Sequence, residues 1–205
     1  IRRYHLERNE IINLAMQAYN DGYQSICLQA GQVSSSQEID FVADVVATIK
    51  KLSESKEQSL GITLSLGELS YEQYRQLWDA GAHRYLLRIE TSNPVLFQKI
   101  HPPEQRFNRR LECLQTLREI GYQVGTGVMI GFPGQSYEDL TRDLQFFLEK
   151  DIDMLGMGPY IPHPDTPLAD EKARIIQDAF VTTIRMLALA RIMMPDINMV
   201  ASTAL

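Results

Sequence analysis

In the stretch YLLRIETSNP (residues 85–94), an apolar strand carries Arg88 and Glu90 at the point where it should end. Alternation along an extended chain puts Leu86, Arg88 and Glu90 on one side and Tyr85, Leu87 and Ile89 on the other, so the cation and the acid share a face. Such a pair has two readings. Aimed into a cavity, it suits a zwitterion, or a substrate with both an amine and a carboxylate, through charge-assisted hydrogen bonds. Otherwise it is an ion pair that closes the end of a barrel and binds nothing.

Other chemistry-bearing segments are less pointed. GFPGQ (131–135) leads from a strand into a helix; its glycines either let backbone amides approach an anionic or planar ligand or simply make a turn. YIPHPDTPL (160–168) is a proline-stiffened loop in which His163 is the one candidate for proton transfer or metal ligation, with no second ligand beside it. Met129, Met154 and Met157 read as barrel filling rather than sulfur ligands. A P-loop, a nucleophile elbow and a metal-spaced Cys or His cluster are all missing from the sequence. No catalytic residue and no metal ligand is assigned.

The elements that must position these residues alternate. Helical spacing runs over residues 8–20, 42–52, 70–80, from Asn93 and Pro94 on to Gly121, from a cap at Ser136, and over about 172–193. Between them lie the apolar strands YQSICLQAG, GITLSLGE, RYLLRIE, VGTGVMIG, DMLGMGPYI and INMVAST. Six strands, each nearly continuous in apolar residues, predict an α/β fold with a parallel sheet covered by helices. A doubly wound sheet also fits, but polar residues and glycines recur at the strands' C-terminal ends, which favours a (β/α) barrel of the TIM type with its site at that mouth. The residues placed there are Gln29 and Gly31; Thr63, Ser65 and Glu68; Arg88, Glu90 and Thr91; Met129, Gly131 and Pro133; Pro159, Tyr160 and His163; and Ser202 and Thr203. The pattern opens on a helix and closes on a strand, so the expectation is a single domain over 1–205 that is a partial barrel, truncated at both ends.

With 205 residues, 44% hydrophobic and 22% charged, the chain can bury one substantial core. A formal charge of −6 without a dense cationic face argues against nucleic acid, and a small or metal-bearing substrate fits better. No apolar run is long enough for a bilayer and no signal-peptide pattern is present, which predicts a cytoplasmic protein without a membrane partner. Cys27 and Cys113 cannot form a disulfide framework and are both expected as buried free thiols.

Four segments in order, ITLSLGE, RYLLRIETSNPVL, GTGVMIGFPGQSYEDL and DMLGMGPYIPHPDTPLA, together with their surroundings over nearly the whole chain, resemble the central barrel of the HydE family. These are FeFe-hydrogenase maturases of the radical S-adenosylmethionine type, related to biotin synthase and methylornithine synthase. The resemblance implies a (β/α) barrel and a four-iron four-sulfur cluster on a Cys-x3-Cys-x-x-Cys loop. It also implies reductive cleavage of S-adenosylmethionine to a 5'-deoxyadenosyl radical, used in assembly of the hydrogenase active-site cluster. Glu90 would then hold the amino end of the cofactor's methionine and Arg110 its carboxylate. Gln29, Ala30 and Gly31 would lie along the methionyl moiety with Ser65 at the same site, and Ile161 would pack the adenine. Arg88 would face the carboxylate of a small molecule or small iron complex, with Thr63, Met129, Ser202 and Thr203 lining that cavity, and the other hydrogenase maturases become candidate partners.

Two departures accompany the resemblance. RRYHLERNEI matches the family's segment just beyond its cysteine loop, so the cluster ligands would fall immediately before Ile1, and the cluster is expected only in a longer parent protein. Gln32 stands where the family commonly has a glutamate. An amide carbonyl there could still accept from the cofactor's amine, at a loss of about 1–2 kcal/mol. The alternatives are another biotin synthase-like radical enzyme and a cluster-free barrel that binds only a small zwitterion or a partner.

Overall fold

The computed structural model describes residues 4–33, 35–54, 59–168 and 176–200. In chain order the elements are α1 (Arg8–Asn20), β1 (Ser25–Gln29), α2 (Ser36–Ser53), β2 (Gly61–Ser65), α3 (Tyr71–Asp79), β3 (Arg84–Leu86), α4 (Pro94–Ile100), α5 (Phe107–Ile120), β4 (Gln123–Thr126), β5 (Met129–Ile130), α6 (Tyr137–Glu149), β6 (Met154–Leu155), β7 (Gly158–Pro159), α7 (Ala179–Met193) and β8 (Asn198–Met199). Three helices begin on capping boxes written in the sequence. Ser35, Ser70 and Ser136 each accept from the backbone N–H three residues on, and Glu38, Gln73 and Asp139 each reach back to the cap's own N–H.

Six strands form one sheet in the order β1-β2-β3-β4-β6-β8, and β5 pairs with β7 in a second. The order follows the chain, and the registers are parallel, as the alternating pattern predicts for a partial (β/α) barrel. Contacts divide the chain into two compact units. One holds Ile1–Leu87 and Glu112–Val124, the other Arg88–Leu111 and Gly125–Leu205. The single-domain reading of the sequence carries no mark of that division.

The first unit buries Ile39, Val46 and Ile49 of α2, Leu64 of β2 and Leu77 of α3. It also buries three tyrosines whose rings meet edge-on, Tyr74, Tyr85 and Tyr122. Their hydroxyls hold backbone. Tyr85 donates to the Gly67 carbonyl at 2.9 Å and Tyr122 to that of Tyr74 at 2.7 Å, which fixes the loop after β2 and the helix beyond it. Burial in this cluster pushes both the Tyr74 and Tyr122 phenols well above their usual range, so they act as neutral donors. The second unit is built around Ile89, Phe97, Val128, Ile130, Phe132, Phe147, Leu155 and Met157, all fully or nearly fully buried.

Five expectations are corrected. The segment VGTGVMIG is two strands, because Gly127 lies against Gly156: a Cβ on Gly127 would meet the Gly156 carbonyl oxygen at 1.9 Å, and the chain steps from one sheet to the other at this contact. The segment DMLGMGPYI splits in the same way into β6 and β7. The helical region after Asn93 is two helices. His101 is extended, as a residue before proline must be, and the chain re-enters a helix only at Phe107. The helix expected over about 172–193 begins at Ala179, where Asp178 accepts from the Val181 N–H; its expected first residues up to 175 lie outside the described residues. Cys113 is buried as expected, but Cys27 is exposed.

Candidate functional site

Arg88, Glu90 and Arg110 all belong to the second unit. Leu87 and Ile89 are buried at 3% and 0% exposure, which turns the intervening Arg88 to the other side of the chain. Glu90 ends the run abruptly with a φ of 62°, in the left-handed region that a non-glycine residue seldom enters. Its backbone is held there on both sides, donating to the Gly127 carbonyl at 2.9 Å and accepting from the Met129 N–H at 3.1 Å. The extended chain therefore turns at the acid and presents its carboxylate beside Arg88.

The pair itself is incomplete. Arg88 Nη2 lies 3.1 Å from Glu90 Oε2, close enough for an ion pair, with side-chain exposures of 34% and 24%. The angle does not make a hydrogen bond, and both Glu90 Oε2 and Arg88 Nε are buried without a hydrogen-bond partner in the described structure. Arg88 Nη2 also donates to the Val128 carbonyl at 3.1 Å. Arg110, 6% exposed, donates from Nη1 to the Arg88 carbonyl and from Nη2 to Gln105, and its guanidinium carbon sits 5.5 Å from the Phe97 ring centroid. Burial pushes the Glu90 carboxyl up, against the opposing pull of the Arg88 and Arg110 charges. A carboxylate oxygen and a guanidinium N–H, each buried without a hydrogen bond among the described residues, are an acceptor and a donor of the kind that an ammonium and a carboxylate need.

The loop after Glu90 is tied to α6. Ser92 donates through both its N–H and its hydroxyl to Asp143 Oδ1, each at 2.6 Å, and Asn93 Nδ2 donates to Asp139 Oδ1 at 2.8 Å. Asn93 also caps α4, as its position before Pro94 predicts. Sequence reasoning missed Asp143, although the signal is present. The acid falls at the i+3 position of the apolar stripe Leu140, Leu144 and Phe147, which is buried throughout.

Gln29, Ala30, Gly31, Thr63 and Ser65 lie in the first unit. Gln29 and Ser65 are the last register pair of β1 and β2, and Thr63 sits two residues before Ser65 on the same face. The loops beyond are zipped together: the Ala30 N–H donates to the Ser65 carbonyl at 3.0 Å and the Val33 N–H to that of Leu66 at 2.9 Å. Gln32 completes the zip. Its Oε1 accepts from the Glu68 N–H at 2.9 Å, and its Nε2 donates to the carbonyls of Glu68 at 2.6 Å and Val33 at 2.9 Å. Gly67 makes room for it; with a φ of 87°, a Cβ there would lie 2.3 Å from Gln32 Oε1. A glutamate at 32 would put an acceptor against two carbonyls. Gln32→Glu is expected to destabilise the chain by about 1–2 kcal/mol in chemical denaturation, with no gain in ligand affinity.

The GFPGQ loop is a closed turn. The Gly131 N–H donates to Gln135 Oε1 at 2.7 Å and Gln135 Nε2 donates to the Met129 carbonyl at 3.0 Å, so the buried glutamine takes the amide that a ligand would need. Met129 packs on the cluster of Leu96, Phe132 and Tyr160. Ile161, just beyond β7, is 64% exposed, a large apolar side chain standing out from the surface. His163 lies in an exposed loop and is turned into that loop, accepting from the Asp165 N–H at 3.2 Å. Ser202 and Thr203 lie outside the described residues. Among the described residues, no helix is long and apolar enough to cross a membrane, and no group of three or more His, Cys, Asp or Glu could hold a metal ion.

Comparison with known proteins places this geometry. The Radical SAM superfamily matches residues 1–147. The chain belongs to the radical SAM superfamily. This radical SAM chain is 46% identical over all 205 residues to the [FeFe] hydrogenase maturase subunit HydE of Thermotoga maritima, covering 56% of that protein. It is 31% identical to a biotin synthase of Neorickettsia sennetsu over 93% of its own length and 55% of that protein's. Among solved structures it resembles methylornithine synthase (PylB), with a TM-score of 0.81 and 22% identity over 97% of this chain and 56% of that one, a likeness that concerns the fold alone. The chain thus spans about half the length of the curated relatives it matches.

The residues present fit one of the two groups that the superfamily implies. Glu90 Oε2, ion-paired to Arg88 but without a hydrogen bond among the described residues, suits the amine of an amino acid such as the methionine of S-adenosylmethionine. The iron–sulfur cluster does not fit these residues: the sequence has only Cys27 and Cys113, on β1 and α5, and a cluster needs three thiolates on one loop.

Proposed function

We propose that this chain is the cofactor-binding core of a HydE-type radical S-adenosylmethionine enzyme that acts in the cytoplasm in assembly of the FeFe-hydrogenase active-site cluster. The observation that carries the reading is the Glu90 carboxylate, turned out by a left-handed backbone next to Arg88 with an oxygen left without a hydrogen bond. The 46% identity to a HydE maturase, against 31% to a biotin synthase, supports that substrate branch over the other. When bound to a reduced cluster, S-adenosylmethionine supplies a 5'-deoxyadenosyl radical.

The chain's own residues bind and orient. Glu90 accepts from the amine of the cofactor's methionine, and Arg110 supplies the cation for its carboxylate. Ile161 offers the adenine an apolar surface. Arg88, in the same unit as Met129, faces the carboxylate of a small molecule or small iron complex, and the other hydrogenase maturases supply or receive that substrate.

The test is made on the intact protein. Its sequence upstream of Ile1 is expected to carry Cys-x3-Cys-x-x-Cys, and the anaerobically reconstituted protein should release 5'-deoxyadenosine when reduced in the presence of S-adenosylmethionine. Absence of the triplet overturns the assignment of activity and leaves a cluster-free binding barrel.

A further inference from the structure

We propose that Asp143 is a positioning residue for Glu90: from α6 it clamps the loop two residues downstream, so that the acid keeps the left-handed turn that aims its carboxylate at the cofactor's amine. This rests on the reading of Glu90 given above and deepens it. An acid with a φ of 62° relaxes to an extended conformation unless the chain is held on both flanks. Upstream the hold comes from the sheet, through the Ile89 N–H on Thr126 Oγ1 at 3.1 Å and Arg110 on the Arg88 carbonyl. Downstream the Glu90 carbonyl accepts from the Met129 N–H at 3.1 Å, and α6 adds a hold on the loop beyond it: Asp143 Oδ1 takes both Ser92 donors, while Asp139 takes Asn93.

The clamp places an acid in a buried setting. Asp143 is fully buried, its Oδ2 has no hydrogen-bond partner among the described residues, and burial raises the carboxyl to about 6 despite the two Ser92 hydrogen bonds. A helix face that only had to pack would be served by an apolar side chain in the stripe of Leu140, Leu144 and Phe147. What an apolar side chain cannot supply is one acceptor for an N–H and an O–H that point at it from the loop after Glu90.

The experiment uses the intact protein with Asp143→Ala, Asp143→Asn and Phe147→Leu, and Glu90→Gln as reference. It reads the dissociation constant for S-adenosylmethionine by calorimetry on reconstituted protein and amide hydrogen exchange at Ser92 in cluster-free protein. Asp143→Ala is expected to weaken binding about tenfold and to speed Ser92 exchange about a hundredfold. Asp143→Asn, which keeps an acceptor oxygen, should stay within about threefold of the parent in both. Phe147→Leu loosens the same helix without touching the loop and should bind as the parent does. Parent-like binding by Asp143→Ala while Glu90→Gln loses affinity overturns this inference and leaves the function standing. Parent-like binding by Glu90→Gln overturns the functional reading itself, and unchanged Ser92 exchange in Asp143→Ala then overturns the clamp as well. Should Asp143→Ala fail to fold, Ser92→Ala takes its place, with at least a threefold loss expected and no loss overturning the proposal.

Discussion

Glu90→Gln is expected to weaken S-adenosylmethionine binding by about 10- to 100-fold, corresponding to the roughly 1.5–3 kcal/mol of a hydrogen bond between charged partners. The amide is nearly isosteric, so the turn at φ 62° and its bonds to Gly127 and Met129 should survive. What is lost is the charge facing the amine. The same carboxyl sets a pH dependence. Burial raises its pKa, so it takes up a proton at higher pH than an ordinary glutamic acid does. The ionised form attracts the ammonium; affinity is therefore full above the raised pKa and falls as pH drops through it. Calorimetric titrations run downward from neutral pH should show this fall in the parent and a flatter profile in Glu90→Gln.

Arg110→Ala should cost about 3 kcal/mol of stability in urea denaturation. The side chain is buried, braces the Arg88 carbonyl, reaches Gln105 and lies over Phe97, so truncation leaves an acceptor unpaired and a cavity beside an aromatic ring. It also withdraws one of the two cations that oppose the burial of Glu90. Arg110→Lys keeps the charge but not the planar fork, and about half the loss is expected. A parent-like midpoint for Arg110→Ala would mean that the guanidinium carries none of this strand end.

The parts of the fold that were legible in the sequence are those dictated locally. Ser70 and Ser136 announce helices through an amide or acid three residues on, and Asn93–Pro94 announces α4, whereas the start of α2 at Ser36 lies ahead of the apolar spacing read over 42–52. Strand alternation predicts a common face for Arg88 and Glu90, but β3 ends at Leu86 and it is the left-handed turn at Glu90 that brings the two together. Breaks set by contacts far along the chain were not legible. Gly127 divides a continuous apolar run only because Gly156 approaches it, and nothing in VGTGVMIG says so. The same holds for Gln32, whose amide is consumed by Glu68, a residue 36 positions away. His101 before Pro102 was a local signal that the helical spacing of the flanking residues concealed. Asp143 was readable as an acid in an apolar stripe, but its partner Ser92 lies 51 positions away and could not be named from spacing.

The most direct measurement is a structure of the intact, reconstituted protein with S-adenosylmethionine bound. The account predicts the methionine amine within about 3.2 Å of Glu90 Oε2, with the left-handed turn at Glu90 and the Ser92–Asp143 clamp preserved. A cofactor whose amine is held by other groups, with Glu90 still facing only Arg88, would contradict it.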